Sequence, residues 1–182
     1  MHKHKLILVG PALGGKTIFL ERLIGHAYNA QHHPTLGVHV YPVRHPQTNP
    51  SVDFAVWDCS GNIRFRDYGP VYHVNAEFAI VVYDILSAES LDEVLSYIDS
   101  IRSTCGNIPI ALHANKVQLQ PYMDDIRSVC GNIHIDIHAD GVDVTHEPIY
   151  RADRENVRIF HTSSEHGINL RASLDWFSSM IE

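Results

Sequence analysis

The segment Gly10-Pro11-Ala12-Leu13-Gly14-Gly15-Lys16-Thr17 stands between an apolar run, Lys5 to Val9, and a stretch of helical period carrying Phe19, Leu20, Leu23 and Ile24. No other feature restricts the fold as strongly. The pattern G-x-x-x-x-G-K-[ST] works only where a strand ends in a tight turn and a helix begins at once. Several backbone N–H groups then converge on one phosphate chain at a helix N-terminus. In that arrangement Lys16 reaches the β and γ phosphates and the Thr17 hydroxyl sits on Mg²⁺.

The rest of the chain keeps the same rhythm. Val38 to Val43 and Val52 to Trp57 read as strands close enough in sequence to form an antiparallel hairpin at a sheet edge, across the turn His45-Pro46-Gln47-Thr48-Asn49-Pro50. Phe78 to Tyr83, Ile108 to Leu112 and Val157 to Phe160 read as further strands. Ser90-Leu91-Asp92-Glu93 reads as a capping box opening a helix whose apolar face is Leu91, Val94, Leu95, Ile98 and Ile101. A last helix carries Leu170, Leu174, Phe177 and Ile181. Alternating strands and helices predict an α/β fold with a mostly parallel sheet and helices on both faces.

Composition narrows the function classes. Acidic residues outnumber basic ones by 21 to 14, which argues against nucleic acid or an anionic membrane as the main partner. No apolar run approaches the length of a membrane span, and no leader or prenylation cysteine is evident, so no direct membrane anchor is expected. The three cysteines have no metal-ligand spacing and suit a reducing compartment.

Further segments fall in order along the chain. Trp57-Asp58-Cys59-Ser60-Gly61 follows a strand and suits Asp58 as a carboxylate behind Mg²⁺ and Gly61 as a γ-phosphate sensor. Thr35 lies where a mobile threonine would complete the Mg²⁺ site. Asn115-Lys116 follows a strand as a base-recognition loop would, and His161-Thr162-Ser163-Ser164 follows the strand after it. Together these residues resemble the Ras-like small GTPases. Within them Thr35-Leu36-Gly37-Val38-His39-Val40-Tyr41-Pro42, Trp57-Asp58 and Asn107-Ile108-Pro109-Ile110 are similar to the Ran branch.

The resemblance implies a P-loop NTPase small G-domain with a six-stranded, mostly parallel sheet, spanning 1–182 as one domain with an insertion near 119–142. It implies GTP or GDP with Mg²⁺ held by Gly10, Ala12, Leu13, Gly14, Gly15, Lys16, Thr17 and Ile18. Tyr28, Asn115, Lys116, position 118, Ser163 and Ser164 would surround the base, and Thr17, Thr35 and Asp58 the metal. Residues near 32–42 and 61–74 would be the switches. Importin-type nuclear transport receptors or other switch-binding effectors would be the partners, in nucleus and cytoplasm.

Four departures bear on activity. Gln118 replaces the carboxylate that accepts two N–H groups from guanine, and loses charge-assisted bonds of about 1.5–3 kcal/mol. An amide there suits a base with a carbonyl, as in xanthine. Ser163-Ser164-Glu165 replaces Ser-Ala-Lys, exchanging a positive charge for a negative one. Asn62, at the position of the catalytic glutamine, is one methylene short, and Ala12 puts a β-carbon where the family has glycine. Lys16 and Asn62 are the catalytic candidates, and slow hydrolysis is expected. A pseudo-GTPase, a Ran-shaped module without a working cycle, is the alternative.

One stretch is nearly duplicated. Residues 101–114 recur at 126–139 with ten of fourteen positions identical. The second copy carries His134 and Asp136 in place of Pro109 and Ala111, so it is expected to form a surface insertion, such as an extra strand at a sheet edge. Asp143 holds the place in that copy equivalent to Gln118. The fourteen histidines show no helical H-x-x-x-H pair and read as surface residues; His32 and His33 fall in the first switch, where His32 is a candidate phosphate contact.

Overall fold

The computed structural model describes residues 2–30, 34–46, 51–62, 64, 69–117, 134–138, 141–145 and 156–181. His32, His33 and Gln118 lie outside the described residues, as do most of the duplicated segment and much of the second switch.

In chain order the elements are β1 (Lys3–Val9), α1 (Lys16–Leu23), β2 (Val38–His45), β3 (Val52–Cys59), α2 (Gly69–His73), β4 (Phe78–Asp84), α3 (Ala88–Cys105), β5 (Ile110–Asn115), β6 (His134–His138), β7 (Gly141–Thr145), β8 (Val157–His161) and α4 (Ala172–Ser178). Six strands form one sheet in the order β2-β3-β1-β4-β5-β8. Only β2 runs antiparallel to its neighbour, pairing from Val38 opposite Cys59 to His45 opposite Val52, which is the edge hairpin expected from the sequence. The other pairings are parallel.

Strand period assigns the core to two layers. Ile7 and Val9 of β1, Ala79, Val81 and Tyr83 of β4, and Leu112 of β5 pack with Val94, Ile98 and Ile101 of α3. Leu6, Leu8, Phe78, Ile80 and Val82 point the other way, to Phe19, Leu20 and Leu23 of α1 and Leu174 and Phe177 of α4. Central strands buried on both faces explain the continuous apolar run of β4. The chain leaves β1 for β3 on one side and for β4 on the other. The loop after β1 therefore lies at the switch point where such sheets hold ligands.

Four expectations are corrected. The cap of α3 is Ser87, whose hydroxyl accepts from the Ser90 N–H at 3.1 Å. Ser90 lies inside the helix, and its hydroxyl accepts from the Asp84 N–H at 2.9 Å, so Ser90 to Glu93 is not a capping box. Ser87 wins because β4 ends at Asp84 and the connection leaves room for only a short turn. Leu95 is 39% exposed, off the stripe of Val94, Ile98 and Ile101, because α3 faces the sheet along one side only.

Among the described residues, the duplicated segment adds no strand to the main sheet. β6 and β7 pair with each other as a separate antiparallel hairpin, Ile135 opposite Val144, Asp136 opposite Asp143 and Ile137 opposite Val142. Asp143 thus takes a register position in that hairpin.

Nor are the histidines all on the surface. His45, His73, His113 and His161 are buried. His113 stacks on Phe160, ring centroids 5.3 Å apart, and lies 4.6 Å from the Phe19 ring. Its Nδ1 is 2.7 Å from Thr162 Oγ1. Burial, and secondarily His161, push its pKa down to about 3. The neutral ring is in effect an aromatic core residue with one hydrogen bond.

Two predictions follow from this packing. Ile98→Ala removes a fully buried side chain and should cost about 2–5 kcal/mol in urea denaturation, whereas Leu95→Ala should cost under about 1 kcal/mol. Because folded His113 binds its proton only near pH 3 and an unfolded histidine near 6.5, its contribution is intact above pH 6.5 and lost as pH falls toward 3. His113→Phe should flatten the fall in stability with acid by up to about 1.4 kcal/mol per pH unit in that window.

Candidate functional site

The loops following β1, β3, β5 and β8 come together at the C-terminal end of the sheet. The loop after β1 packs hard against β4. A β-carbon on Gly10, whose φ is 136°, would stand 2.1 Å from the Val82 carbonyl oxygen, and one on Gly14 would stand 2.7 Å from the same atom. Both positions must be glycine for the loop to sit so low.

Lys16 opens α1 and is 6% exposed; its Nζ donates to the Pro11 carbonyl at 2.7 Å, curling back over its own loop. Burial pushes its pKa down to about 8 despite the attraction of Asp58, Cys59 and Glu93. Thr17 Oγ1 donates to Asp58 Oδ2 at 2.9 Å and lies 2.9 Å from Thr35 Oγ1, which is itself 3.4 Å from that carboxylate oxygen. Asp58 is fully buried. Desolvation raises its pKa, opposed by the Thr17 hydrogen bond and by Lys16. Among the described residues its Oδ1 has no hydrogen-bond partner. A buried carboxylate with a free oxygen beside two hydroxyls is an oxygen donor set of the kind a hard divalent cation takes.

Lys16, Thr17 and Thr35 line a cleft of about 420 Å³ with Ala12, Leu13, Gly15, Ile18, Gly61 and Asn62, and Asp58 lies buried behind the two threonines. Gly61 lies directly on the phosphate loop: a β-carbon there would meet Lys16 Nζ at 2.3 Å and the Ala12 N at 2.9 Å. Asn62 is exposed at the rim. Its Oδ1 accepts from the Arg64 N–H at 3.0 Å, so the carboxamide closes a local turn in its own loop.

A second cleft, about 120 Å³, adjoins the first through Gly15 and Ile18, and is lined by Tyr28, Asn115, Lys116, Ser163 and Ser164. Asn115 joins three loops. Its Nδ2 donates to the Gly14 carbonyl at 3.0 Å, and its Oδ1 accepts from Ser164 N at 3.1 Å and Ser164 Oγ at 2.9 Å. The Ser164 N–H, on a residue expected to border the base, is therefore engaged by Asn115. Ser163 Oγ is 2.9 Å from His166 Nδ1. Lys116 holds a left-handed backbone, φ 67°, and its Nζ pairs with Asp84 Oδ2 at 2.7 Å.

A model of the Ras family matches residues 5–181. The chain belongs to the Ras family. Ras-family proteins are small GTPases, nucleotide-binding switches that take GTP and GDP, typically with Mg²⁺, and bind effectors. No helix among the described residues is long and apolar enough to cross a membrane.

Nearly every residue singled out from this Ras-family sequence falls in or under the two clefts. Gly10 and Gly14 shape the floor, and Gln118 lies outside the described residues. The structure adds Pro34, Ser60 and Glu93 to the larger cleft and Leu86 and Val117 to the smaller, where Glu165 also stands beside Ser164. Glu93 reaches the larger cleft from the first turns of α3, with no motif to mark it. Leu86 is 52% exposed immediately after a buried strand, a position where an apolar residue is itself a signal.

Burying the Lys16 ammonium opposes folding when no anion is bound. Lys16→Met should stabilise the nucleotide-free protein at pH 7 by up to about 3 kcal/mol, read as a shift of the urea midpoint. The same variant should lose phosphate binding.

Proposed function

We propose that this Ras-family chain is a divergent, Ran-like guanine-nucleotide switch that binds GTP or GDP with Mg²⁺ and hydrolyses GTP slowly. The observation that carries the reading is the meeting of Thr17, Thr35 and Asp58 beside Lys16. Thr17 and Thr35 would offer hydroxyl oxygens to Mg²⁺, with Asp58 behind them. The ion, when bound, screens phosphate charge. The backbone of Gly10 to Thr17 and the Lys16 ammonium would hold the phosphates, aided by the helix N-terminus. Gly61, resting on the loop, would sense the terminal phosphate. Tyr28 would lie on the base, while Asn115 holds the floor of its pocket and Lys116, Ser163, Ser164 and Gln118 surround it.

Slow turnover is supported by Asn62. The side chain is short, and its oxygen is already engaged by the Arg64 N–H, which leaves little to orient an attacking water. Ala12 adds a methyl at the same cleft. Leu36, 74% exposed, and Val40, 51% exposed, offer apolar surface on the first switch and the edge strand β2, which supports a switch-dependent protein partner. By the Ran resemblance that partner is an importin-type transport receptor, and the protein would act in nucleus and cytoplasm.

A second reading has its own observation. Glu165 lines the base cleft and the Ser164 N–H is already bonded, so guanine finds fewer donors than the family pattern supplies. On that reading the chain is a pseudo-GTPase that engages receptors with altered or lost nucleotide specificity.

Chromatography of the nucleotide released on denaturation, followed by titration with GDP, GTP, ATP and XTP in Mg²⁺, tests both. The switch reading expects bound GDP or GTP, at least tenfold preference over ATP, and loss of tenfold or more in affinity in Lys16→Ala. Asn62→Gln should raise the hydrolysis rate. An empty protein that binds none of the four at high micromolar concentration overturns that reading. Receptor binding unchanged by Lys16→Ala would support the module instead.

A further inference from the structure

At the opposite end of β1 from the phosphate loop, His2, His4 and Glu77 bring one imidazole nitrogen each and a carboxylate oxygen within 4.8 Å of one another. His4 Nδ1 is 2.7 Å from Glu77 Oε2, and His2 Nε2 is 3.3 Å from Glu77 Oε1. We propose that these three side chains form a binding site for a borderline divalent d-block cation, zinc above all, separate from the nucleotide site. The proposal stands whether or not the chain binds guanine nucleotide.

The spacing has a simple origin. Residues two apart on an extended chain project to the same face, so His2 and His4 lie side by side, ring centroids 4.6 Å apart and nearly perpendicular. Glu77 comes from the turn before β4 and is fixed by backbone on both sides. Its carboxylate accepts from the Lys5 N–H at 3.1 Å, and its own N–H donates to the Lys5 carbonyl at 2.9 Å. His4 is held against the rings of Phe54 and Phe78, at 6.2 and 6.0 Å. Two of the three ligands are thus oriented by structure that owes nothing to a metal.

The donor set selects the ion. Two imidazoles and one carboxylate suit zinc, nickel or copper, whereas Mg²⁺ and Ca²⁺ take oxygen donors. Three protein ligands leave a fourth tetrahedral position toward solvent, since the His2 side chain is 69% exposed. A bound ion would clip the turn after α2 to the first strand. The seven residues of β1 separate it by roughly 20 Å from the phosphate loop.

The test uses the full chain, stripped with chelator and kept in excess Mg²⁺. Calorimetric titration with zinc chloride should show one tight site per chain, and zinc should raise the melting temperature. His2→Ala, an exposed position, and Glu77→Gln, which keeps the acceptor for Lys5, should each weaken zinc binding tenfold or more. The double variant should abolish the thermal shift while retaining the unliganded melting temperature. Cobalt(II) should give the intense visible bands of a four-coordinate site. His26→Ala and His39→Ala, exposed histidines elsewhere, should change nothing. The proposal is overturned if the wild-type chain binds no zinc, if the double variant binds it equally, or if affinity follows His26 or His39.

Discussion

The functional end of the molecule depends on one carboxamide. Asn115 stands at the end of β5 with its Nδ2 on the Gly14 carbonyl and its Oδ1 on the N–H and hydroxyl of Ser164. Those contacts tie together loops from β1, β5 and β8, elements that are far apart in sequence. At 2% exposure, none of these bonds competes with bulk water, and loss of either end would leave a buried polar group without a partner. A β-carbon on Gly15 would stand 2.4 Å from Asn115 Nδ2, so the glycine and the asparagine specify one another. The adjoining clefts hold their relation because this bridge spans them.

Much of the fold was legible in the sequence because burial on two faces leaves a plain record. Phe78 to Asp84 is apolar at nearly every position since β4 sits between two helical layers, and the edge hairpin of β2 and β3 announced itself by a turn-rich connection. The phosphate loop was legible because its glycines answer to backbone contact with Val82. What stayed hidden depends on competition between near neighbours. Ser87 and Ser90 are both good caps, and only the end of β4 decides which one the helix uses. Histidine was misjudged for a related reason: polarity alone places it outside, yet a neutral imidazole stacked on Phe160 with one hydrogen bond is a satisfactory core residue. Glu93 enters the larger cleft through tertiary placement that no spacing rule encodes.

Charge at the site is arranged around a deficit. Lys16 and Asp58 are both buried, and each is pushed toward its neutral form by desolvation even though each favours the other's charge. Such a pair is held in readiness rather than at rest. An anion over Lys16 and a cation near Asp58 would each relieve what burial imposes, and relief of both together is more favourable than either alone. By the same logic the buried Lys16 ammonium opposes folding for as long as no anion faces it.

The hairpin of β6 and β7 shows what a copied strand can become. In the first copy, Ile110-Ala111-Leu112-His113-Ala114 is sandwiched between layers, with β4 on one side and β8 on the other. The main sheet offers no second interior slot, so a duplicate must find another address. Exchanging Pro109 for His134 and Ala111 for Asp136 leaves Ile135 and Ile137 alternating with polar residues. That converts a strand written for two oily walls into one written for a single wall, the pattern of a half-solvated antiparallel ribbon. The copy accordingly pairs with β7 in a small sheet of its own, while the parent strand keeps its place between β4 and β8, beside the loop that follows β1.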